Sequence, residues 1–370
     1  MVIVQRPRET GDGAHARAIG VHDYADAYSR ICRAARLRTL GRGDEESPSV
    51  PGGAAVLLAV APDVDALAAT RILTQLLAGD EVPYRVSPVN GYRCLQQVLE
   101  EDVHGHLQLH TLVFVNLGSI MSLPSAIPLP PHCTLHVIDS HRPWNLDNLF
   151  ATTELNDRIW IWDDGEIQRL GNEKEAFEML EFDFESNSEE EDEYDSDVDA
   201  PSGSQDTPRK KRRGLDSAAR QDYRRIIARY YARGTWSGMS VAQMLYMLSV
   251  SLGRSDNDAL WYGIIGVTAQ LLANEVHLST YEDYSEALAS DVVATNAPRD
   301  SRDERPLPDM NVHGADDSAI RVVPEELRFT LYRHWSLEMS MYHTGYVAAK
   351  LGIWREKGMS RLRGLLAKMG

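Results

Sequence analysis

Residues 54–77 read AAVLLAVAPDVDALAATRILTQLL and contain the clearest structural signal in the chain. The apolar run over 54–61 has the length of a β-strand, and an unbroken run of this kind is typical of a strand buried on both faces of a parallel sheet. Asp63 and Asp65 follow, and apolar residues at helical spacing then continue to Leu77. The pattern therefore predicts a buried strand, an acidic turn and a helix.

Similar patterns occur along the rest of the chain. Strands are predicted over 84–89, 112–116, 134–138 and 158–162, and helices over 22–40, 92–101, 217–233, 239–252, 257–274, 281–290, 324–349 and 358–368. Strands that alternate with helices imply an α/β fold with a doubly wound, mostly parallel sheet, here followed by a helical domain.

Six segments follow from these patterns. Residues 1–53 form an N-terminal helix and loop, 54–182 the α/β domain, and 183–214 a disordered insert with an acidic and a basic part. Residues 215–295 form a helical part that completes the α/β domain, 296–320 a disordered loop, and 321–370 a helical interaction region.

The net charge of −17, from 38 Lys and Arg against 55 Asp and Glu, argues against a generic basic coat for nucleic acid. The charge is unevenly distributed, however. Residues 181–200 contain eleven acidic residues and no basic one, whereas 327–370 contain eight basic residues and two acidic ones. A stretch as polar as 183–214 cannot bury enough apolar surface to offset the entropy of ordering, which predicts disorder there.

The chain has three cysteines, Cys32, Cys94 and Cys133, and no Cys-x-x-Cys pair. This usage fits a reducing compartment and argues against a disulfide scaffold or a cysteine-rich zinc module. No apolar run in the sequence reaches the ~20 residues that a membrane-spanning helix needs.

The insert also contains short signals for transport and modification. A nuclear import signal is predicted at Arg209, Lys210, Lys211, Arg212 and Arg213, with a solvated cluster that balances the acidic tract as the alternative. Thr207 lies before a proline beside this run and has the form of a proline-directed kinase site, with an unmodified linker threonine as the alternative. Ser188 and Ser196 precede acidic residues and suit an acidic-directed kinase.

Polar side chains follow three of the predicted strands. In doubly wound sheets the functional groups lie just past the carboxyl ends of the strands. Those ends carry Asp63 with Asp65, then Asn116, and then Asp139 with His141. Oxygen ligands with one imidazole suit Mg²⁺ or Mn²⁺, and a two-metal centre could activate water for phosphoester hydrolysis. Spacing alone equally allows these aspartates to cap a helix or a turn.

Five blocks of sequence together carry a resemblance to a known family. They are LLAVAPDVDALAATRIL at 57–73, VFVNLG at 113–118, VIDSHRPWNLDN at 137–148, DALWYGIIGVTAQLL at 258–272 and RFTLYRHWSLEMSMYHTGYVAAKLGIW at 328–354. The chain resembles the DHH phosphoesterase superfamily, which includes RecJ-type single-strand exonucleases. Within it, the chain is similar over about 54–370 to the family of the eukaryotic replication factor cell division control protein 45, which has lost the chemistry.

Three positions depart from the pattern of the active relatives. Asn116 replaces a ligand aspartate, Ser140 replaces a ligand histidine between Asp139 and His141, and Gln270 replaces a further aspartate. Asp63, Asp65, Asp139 and His141 keep the residue types of the active site. Because amides carry no charge to balance divalent ions, hard-cation binding is weakened sharply. The resemblance therefore implies a pseudoenzyme without a metal or other cofactor.

The resemblance also implies partners and a location. The expected role is a scaffold and clamp subunit of the nuclear replicative helicase, the CMG complex, with the MCM hexamer, the GINS complex, replication initiation factors, DNA polymerase and single-stranded DNA as partners. Arg142 and the basic 327–370 region are candidates for contact with DNA, with a helical packing face as the alternative for the latter. We expect a core or interface position for Trp335, Tyr342, Tyr346 and Trp354.

Two other functions are weighed against this one. An active manganese-dependent single-strand exonuclease would need ligands from elsewhere, such as His136 or Asp147. A nucleotide-binding α/β enzyme is disfavoured because no GxGxxG or Walker-type loop follows the first strand. Members of the family continue into a second α/β domain that is absent here, so both a fragment and a truncated gene product fit the sequence.

Overall fold

A computed structural model describes residues 17–19, 24–40, 54–103, 109–192, 215–296, 319–322, 329–331 and 334–369. The chain divides into two units between Ile320 and Arg321.

The first unit contains a six-stranded sheet in which every pair of neighbouring strands is parallel. Its strands are β1 Arg17–Ile19, β2 Val56–Val60, β3 Tyr84–Pro88, β4 Thr111–Val115, β5 Thr134–Ile138 and β7 Ile159–Trp162, in the order β1-β7-β5-β4-β2-β3. Two further short strands, β6 His141–Arg142 and β8 Trp236–Ser237, pair antiparallel with each other.

Helices connect and cover these strands. They are α1 Tyr24–Leu40, α2 Val64–Gly79, α3 Tyr92–Val98, α4 Leu123–Ala126, α5 Leu146–Phe150, α6 Gly171–Asp192, α7 Ser217–Tyr231, α8 Val241–Ser251, α9 Asn257–Leu272 and α10 Leu278–Thr295. A π-helical turn, Leu99–Val103, continues α3. None of the helices that the structure describes combines the length and apolar character needed to cross a membrane.

Both faces of the sheet are covered, as the unbroken apolar run of β2 predicts. Val56, Leu58 and Val60 point into one core, which they share with α1, α2, α8 and α9. Leu57 and Ala59 point into the other, which they share with α3, α4, α5 and α7. Alternate residues of a strand face opposite sides of a sheet, so a strand buried on both sides must be apolar throughout. The predicted doubly wound α/β fold is confirmed.

The N-terminal helix belongs to this unit rather than forming a separate segment over 1–53. Tyr24 of α1 is fully buried, and its hydroxyl donates to the Asp163 carbonyl at 2.7 Å. Its ring stacks on Trp162 with centroids 4.8 Å apart. Strand β1, which pairs with β7, was not predicted, because three residues are too few to show a period.

Helix α6 passes the predicted start of the disordered insert at 183 and ends at Asp192. Its glutamates are good helix formers, so the acidic composition does not break the helix. The Asp183 carboxylate accepts from the Leu215 amide at 3.0 Å and pairs with Arg220 at 2.7 Å, which joins the end of α6 to the start of α7. The import signal at 209–213, Thr207 and Ser196 lie outside the described residues, as does 297–318.

The second unit contains three short helices, α11 Leu337–His343, α12 Gly345–Leu351 and α13 Gly358–Met369, rather than one helix over 324–349. Thr344 interrupts the helix: its backbone is extended, and its hydroxyl accepts from the Thr330 amide at 2.9 Å and donates to the Ser340 carbonyl at 2.6 Å. A small core contains Met341, Val347, Ile353 and Leu362.

The aromatic residues of this unit are mostly outside that core. Tyr346 is 70% exposed, Trp354 is 69% exposed and Trp335 is 41% exposed, whereas Tyr342 packs against the core. The expected core position is therefore wrong for Tyr346, Trp354 and Trp335, and a role in an interface stays a prediction.

Replacing Tyr24 with Phe tests whether α1 is fastened to the sheet through its hydroxyl. The Tyr24→Phe variant keeps the ring stacked on Trp162 but leaves the Asp163 carbonyl without its donor. We expect the free energy of unfolding to fall by about 1 kcal/mol, measured as a lower urea midpoint. Tyr84→Phe, at a partly exposed ring on the edge strand, serves as the control. Identical midpoints for the two variants would contradict this account.

Candidate functional site

The carboxyl ends of β5, β4 and β2 are adjacent in the sheet and bring the predicted polar residues together, as expected. The Asn116 side-chain amide donates to Asp63 Oδ2 at 3.0 Å. Its carbonyl oxygen accepts from the Ser140 hydroxyl at 2.8 Å and the Ser140 amide at 3.2 Å. Asn116 adopts a left-handed backbone, with φ of 57°, which asparagine tolerates well. One neutral amide thus bridges two strand ends.

Asp63 also caps α2. Its Oδ1 accepts from the Ala66 amide at 2.7 Å, so both carboxylate oxygens have donors within the fold. This is the capping role that spacing alone left open, and such a cap satisfies one of the unpaired amides of the first helical turn.

Asp65 is bound to the first turn of α8. Only 4% of the residue is exposed, and its carboxylate accepts from the Ser240 hydroxyl at 2.6 Å, the Val241 amide at 2.8 Å and the Ala242 amide at 2.9 Å. Burial raises the pKa of Asp65 to about 6, while these hydrogen bonds oppose the rise. A carboxylate at a helix N-terminus satisfies unpaired amides and interacts favourably with the helix dipole. Asp65 therefore links α2 to α8.

Gly266 of α9 makes room for this link. A Cβ atom at Gly266 would lie 2.5 Å from Asp65 Oδ1, 2.5 Å from Ser240 Oγ and 2.6 Å from Ala242 Cβ. No side chain fits at such distances, so the glycine is required for the close approach of α9 to the first turn of α8.

Asp139 is turned inward and is paired with His141. Its Oδ2 accepts from the Ser119 amide at 2.8 Å, and its Oδ1 lies 2.7 Å from His141 Nδ1 and accepts from the His141 amide at 3.0 Å. Burial raises the pKa of Asp139, but the hydrogen bond and charge of His141 outweigh burial and bring that pKa below its usual value. The bond to Asp139 raises the pKa of His141, to which the charges of Asp63 and Glu275 add.

Gln270 is 1% exposed and donates from Nε2 to the Gly238 carbonyl at 3.3 Å. Its Oε1 has no hydrogen-bond partner among the described residues. A buried neutral amide therefore occupies this position, and the structure brings it close to the chain between β8 and α8.

The prediction that Arg142 contacts DNA is contradicted by the structure. The side chain is fully buried, with Nε 2.6 Å from Glu166 Oε2 and Nη2 3.0 Å from Asp164 Oδ2. Its guanidinium lies over the Trp144 ring, 4.0 Å from the centroid. Two carboxylates neutralise its charge and no surface remains for a phosphate. Asp164 and Glu166 directly follow β7, so the acidic run after that strand was a sequence signal that pointed to these partners.

The two residues considered as replacement ligands have other surroundings. His136 is buried inside β5 and lies 3.2 Å from Trp162 Nε1, and burial together with His110 lowers its pKa to about 3. Asp147 lies in the first turn of α5. Across the described ranges, no group of three or more His, Cys, Asp or Glu side chains is arranged to hold a metal ion.

The fold and the site thus define a class: a doubly wound α/β protein whose strand-end polar residues bind one another and the first turn of α8. The CDC45 family model matches residues 56–370, so the chain belongs to the CDC45 family. This membership supports a role in DNA replication and confirms the family predicted from the sequence blocks.

Individual relatives agree with this assignment. Protein TSD2 of Mycosarcoma maydis is 39% identical, over 100% of this chain and 56% of its own length. The cell division control protein 45 homologs of Schizosaccharomyces pombe and Homo sapiens are 34% and 31% identical, over 94% and 85% of this chain and 55% and 53% of theirs. The chain therefore spans about half the length of these relatives.

A solved structure shows the same fold. The crystal structure of CDC45 from Entamoeba histolytica has a TM-score of 0.52 and 19% sequence identity to this chain. The match covers 95% of this chain and 52% of that one. At this identity the likeness concerns the fold alone.

Replacing Gly266 with Ala tests the close contact between α9 and α8. The added methyl group must displace Asp65, Ser240 or α9 itself, and we expect the free energy of unfolding to fall by about 2 kcal/mol. The urea midpoint measures the change. Gly171→Ala at the start of α6 is the matched control, because a Cβ there meets no atom within 4 Å. A Gly266→Ala variant as stable as that control would contradict the proposed packing.

Proposed function

We propose that this chain acts as a non-catalytic scaffold subunit of the eukaryotic replicative helicase, the CMG complex, in initiation of DNA replication and fork progression. Its partners in this proposal are the MCM hexamer and the GINS complex, with replication initiation factors, DNA polymerase and single-stranded DNA as further contacts. The observation that carries the proposal is the use of the strand-end residues as internal hydrogen-bond acceptors, in a chain of the CDC45 family.

The chemistry of the strand ends supports a role without catalysis. A divalent ion at Asp65 would compete with the Ser240, Val241 and Ala242 donors, which fasten α8 to α2. At Asn116 and Gln270 the amides contribute no negative charge to balance such an ion. Hard cations prefer carboxylate oxygens, so this arrangement favours folding contacts over metal-assisted hydrolysis.

Contact with single-stranded DNA is assigned in this proposal to the second unit rather than to Arg142. Tyr346 and Trp354 are exposed there, and Lys350 Nζ lies 6.0 Å from the Tyr346 ring centroid. Aromatic faces beside cations are the groups on which single-stranded bases stack.

Co-expression with MCM and GINS tests the scaffold role. We expect the chain to co-purify with both assemblies, and an Asp63→Asn variant to do so equally well. Asparagine still caps α2, so this variant removes a carboxylate charge without removing the cap. The readout is the stoichiometry of the purified complex on a sizing column.

The same two proteins separate this role from an active exonuclease. With Mn²⁺ and a labelled single strand, neither protein should release nucleotides. Release by the natural chain that is lost in Asp63→Asn would establish catalysis instead. A well-folded chain that binds neither MCM nor GINS would overturn the scaffold proposal.

Nuclear location is part of the proposal and rests on the basic run 209–213, which lies outside the described residues. Deleting these five residues should lower the nuclear fraction of a fluorescently tagged chain in dividing cells. Deleting the neighbouring segment 201–205, which has no charged residue, serves as the control. An unchanged nuclear fraction after the first deletion would remove the import signal from this account.

A further inference from the structure

A cavity of about 360 Å³ lies in the first unit where α1, the C-terminal end of α2 and the residues after α8 meet. Helix α2 has 16 residues and thus a length of roughly 24 Å, and Asp63 lies at its opposite end. The cavity is therefore separate from the strand-end site.

Three arginines line this cavity together with a single carboxylate. Asp80 accepts from the Tyr28 hydroxyl at 2.6 Å, from Arg254 at 2.6 Å and from Arg36 at 3.4 Å. Arg33, one turn before Arg36 on α1, is exposed and has no carboxylate partner within the described part of the chain. The lining therefore has an excess of two positive charges in a chain whose net charge is −17.

The position of Arg254 is built into the fold. Gly79 ends α2, and a Cβ atom at this glycine would overlap the Arg254 guanidinium. Asp80 binds the same guanidinium, so one residue leaves space for it and the next residue orients it. Such an arrangement holds a cation in place before any ligand arrives, which lowers the entropy cost of binding.

The shape and charge of the cavity suit one compact oxyanion. Guanidinium groups bind phosphate oxygens through paired hydrogen bonds, and the Ser29 hydroxyl on the same wall can add another donor. A phosphomonoester carries about two negative charges near neutral pH, which matches the excess charge of the lining. Leu252 and Cys32 supply an apolar wall for the carbon atoms to which the phosphate is attached.

A nucleic-acid strand fits this surface poorly. Binding a strand requires basic groups along a continuous path. Here acidic residues adjoin the basic ones: Asp80 lines the cavity, Glu81 follows it, and Asp256 lies with Arg254 on the neighbouring cavity. The positive potential is therefore confined to one place. We propose that this cavity binds a single phosphoserine or phosphothreonine side chain of a protein partner.

The test uses the full chain and a fluorescently labelled peptide, Gly-Ala-phosphoserine-Ala-Gly, with its unphosphorylated form for comparison. We expect binding of the phosphorylated peptide alone, and a loss of about tenfold in affinity for Arg33→Gln, since a charge-assisted hydrogen bond disappears. Arg93→Gln, at an exposed arginine of α3, makes the same change in net charge and should bind as the natural chain does.

Competition experiments give the outcomes that would overturn the proposal. Equal affinity for both peptides would show that phosphate is not recognised. Saturation by inorganic phosphate without any binding of the peptide would assign the cavity to a free anion. Displacement of the peptide by a single-stranded oligonucleotide that loses affinity in Arg33→Gln would assign it to nucleic acid. An unchanged urea midpoint for Arg33→Gln shows that any loss of binding is not a loss of folding.

Discussion

The carboxylate of Asp65 in the first turn of α8 is the contact on which the arrangement of the first unit depends. It joins residues 175 positions apart in the chain, one beside the central strand of the sheet and the other in the helical part after the insert. A buried carboxylate is costly unless all of its hydrogen bonds are made, so the contact holds α8 in one position. Gly266 then lets α9 pack against the same turn.

This contact also connects the architecture to the loss of chemistry. The strand ends still deliver acidic residues to one edge of the sheet, but each is used inside the protein. Asp63 caps α2, Asn116 bridges Asp63 and Ser140, and Asp139 holds the His141 ring. Groups that would serve an enzyme as ligands here stabilise a rigid body, which is what a scaffold subunit needs. Catalysis and this network would compete for the same oxygens.

Prediction from sequence was most accurate where the signal was local and repeated. The run over 54–61 and the apolar blocks at β4 and β5 were placed to within two residues at each end, because strands buried on both faces must be apolar throughout. The sequence was least informative where one residue overrides a pattern. Thr344 divides a predicted helix by binding its own neighbours, and β1 is too short to show a period.

The order of strands and helices, the meeting of polar groups at one sheet edge and the family of the chain were all readable from the sequence, because they depend on local periodicity and short motifs. The partner of each polar group was not. Arg142 looked like a surface cation beside a site, yet it is buried between Asp164 and Glu166. Asp65 looked like a ligand or a cap, yet its donors come from Ser240 to Ala242. Burial and hydrogen bonding between distant segments are set only when the layers pack, and they decide whether a charge is available to a ligand or is used by the fold.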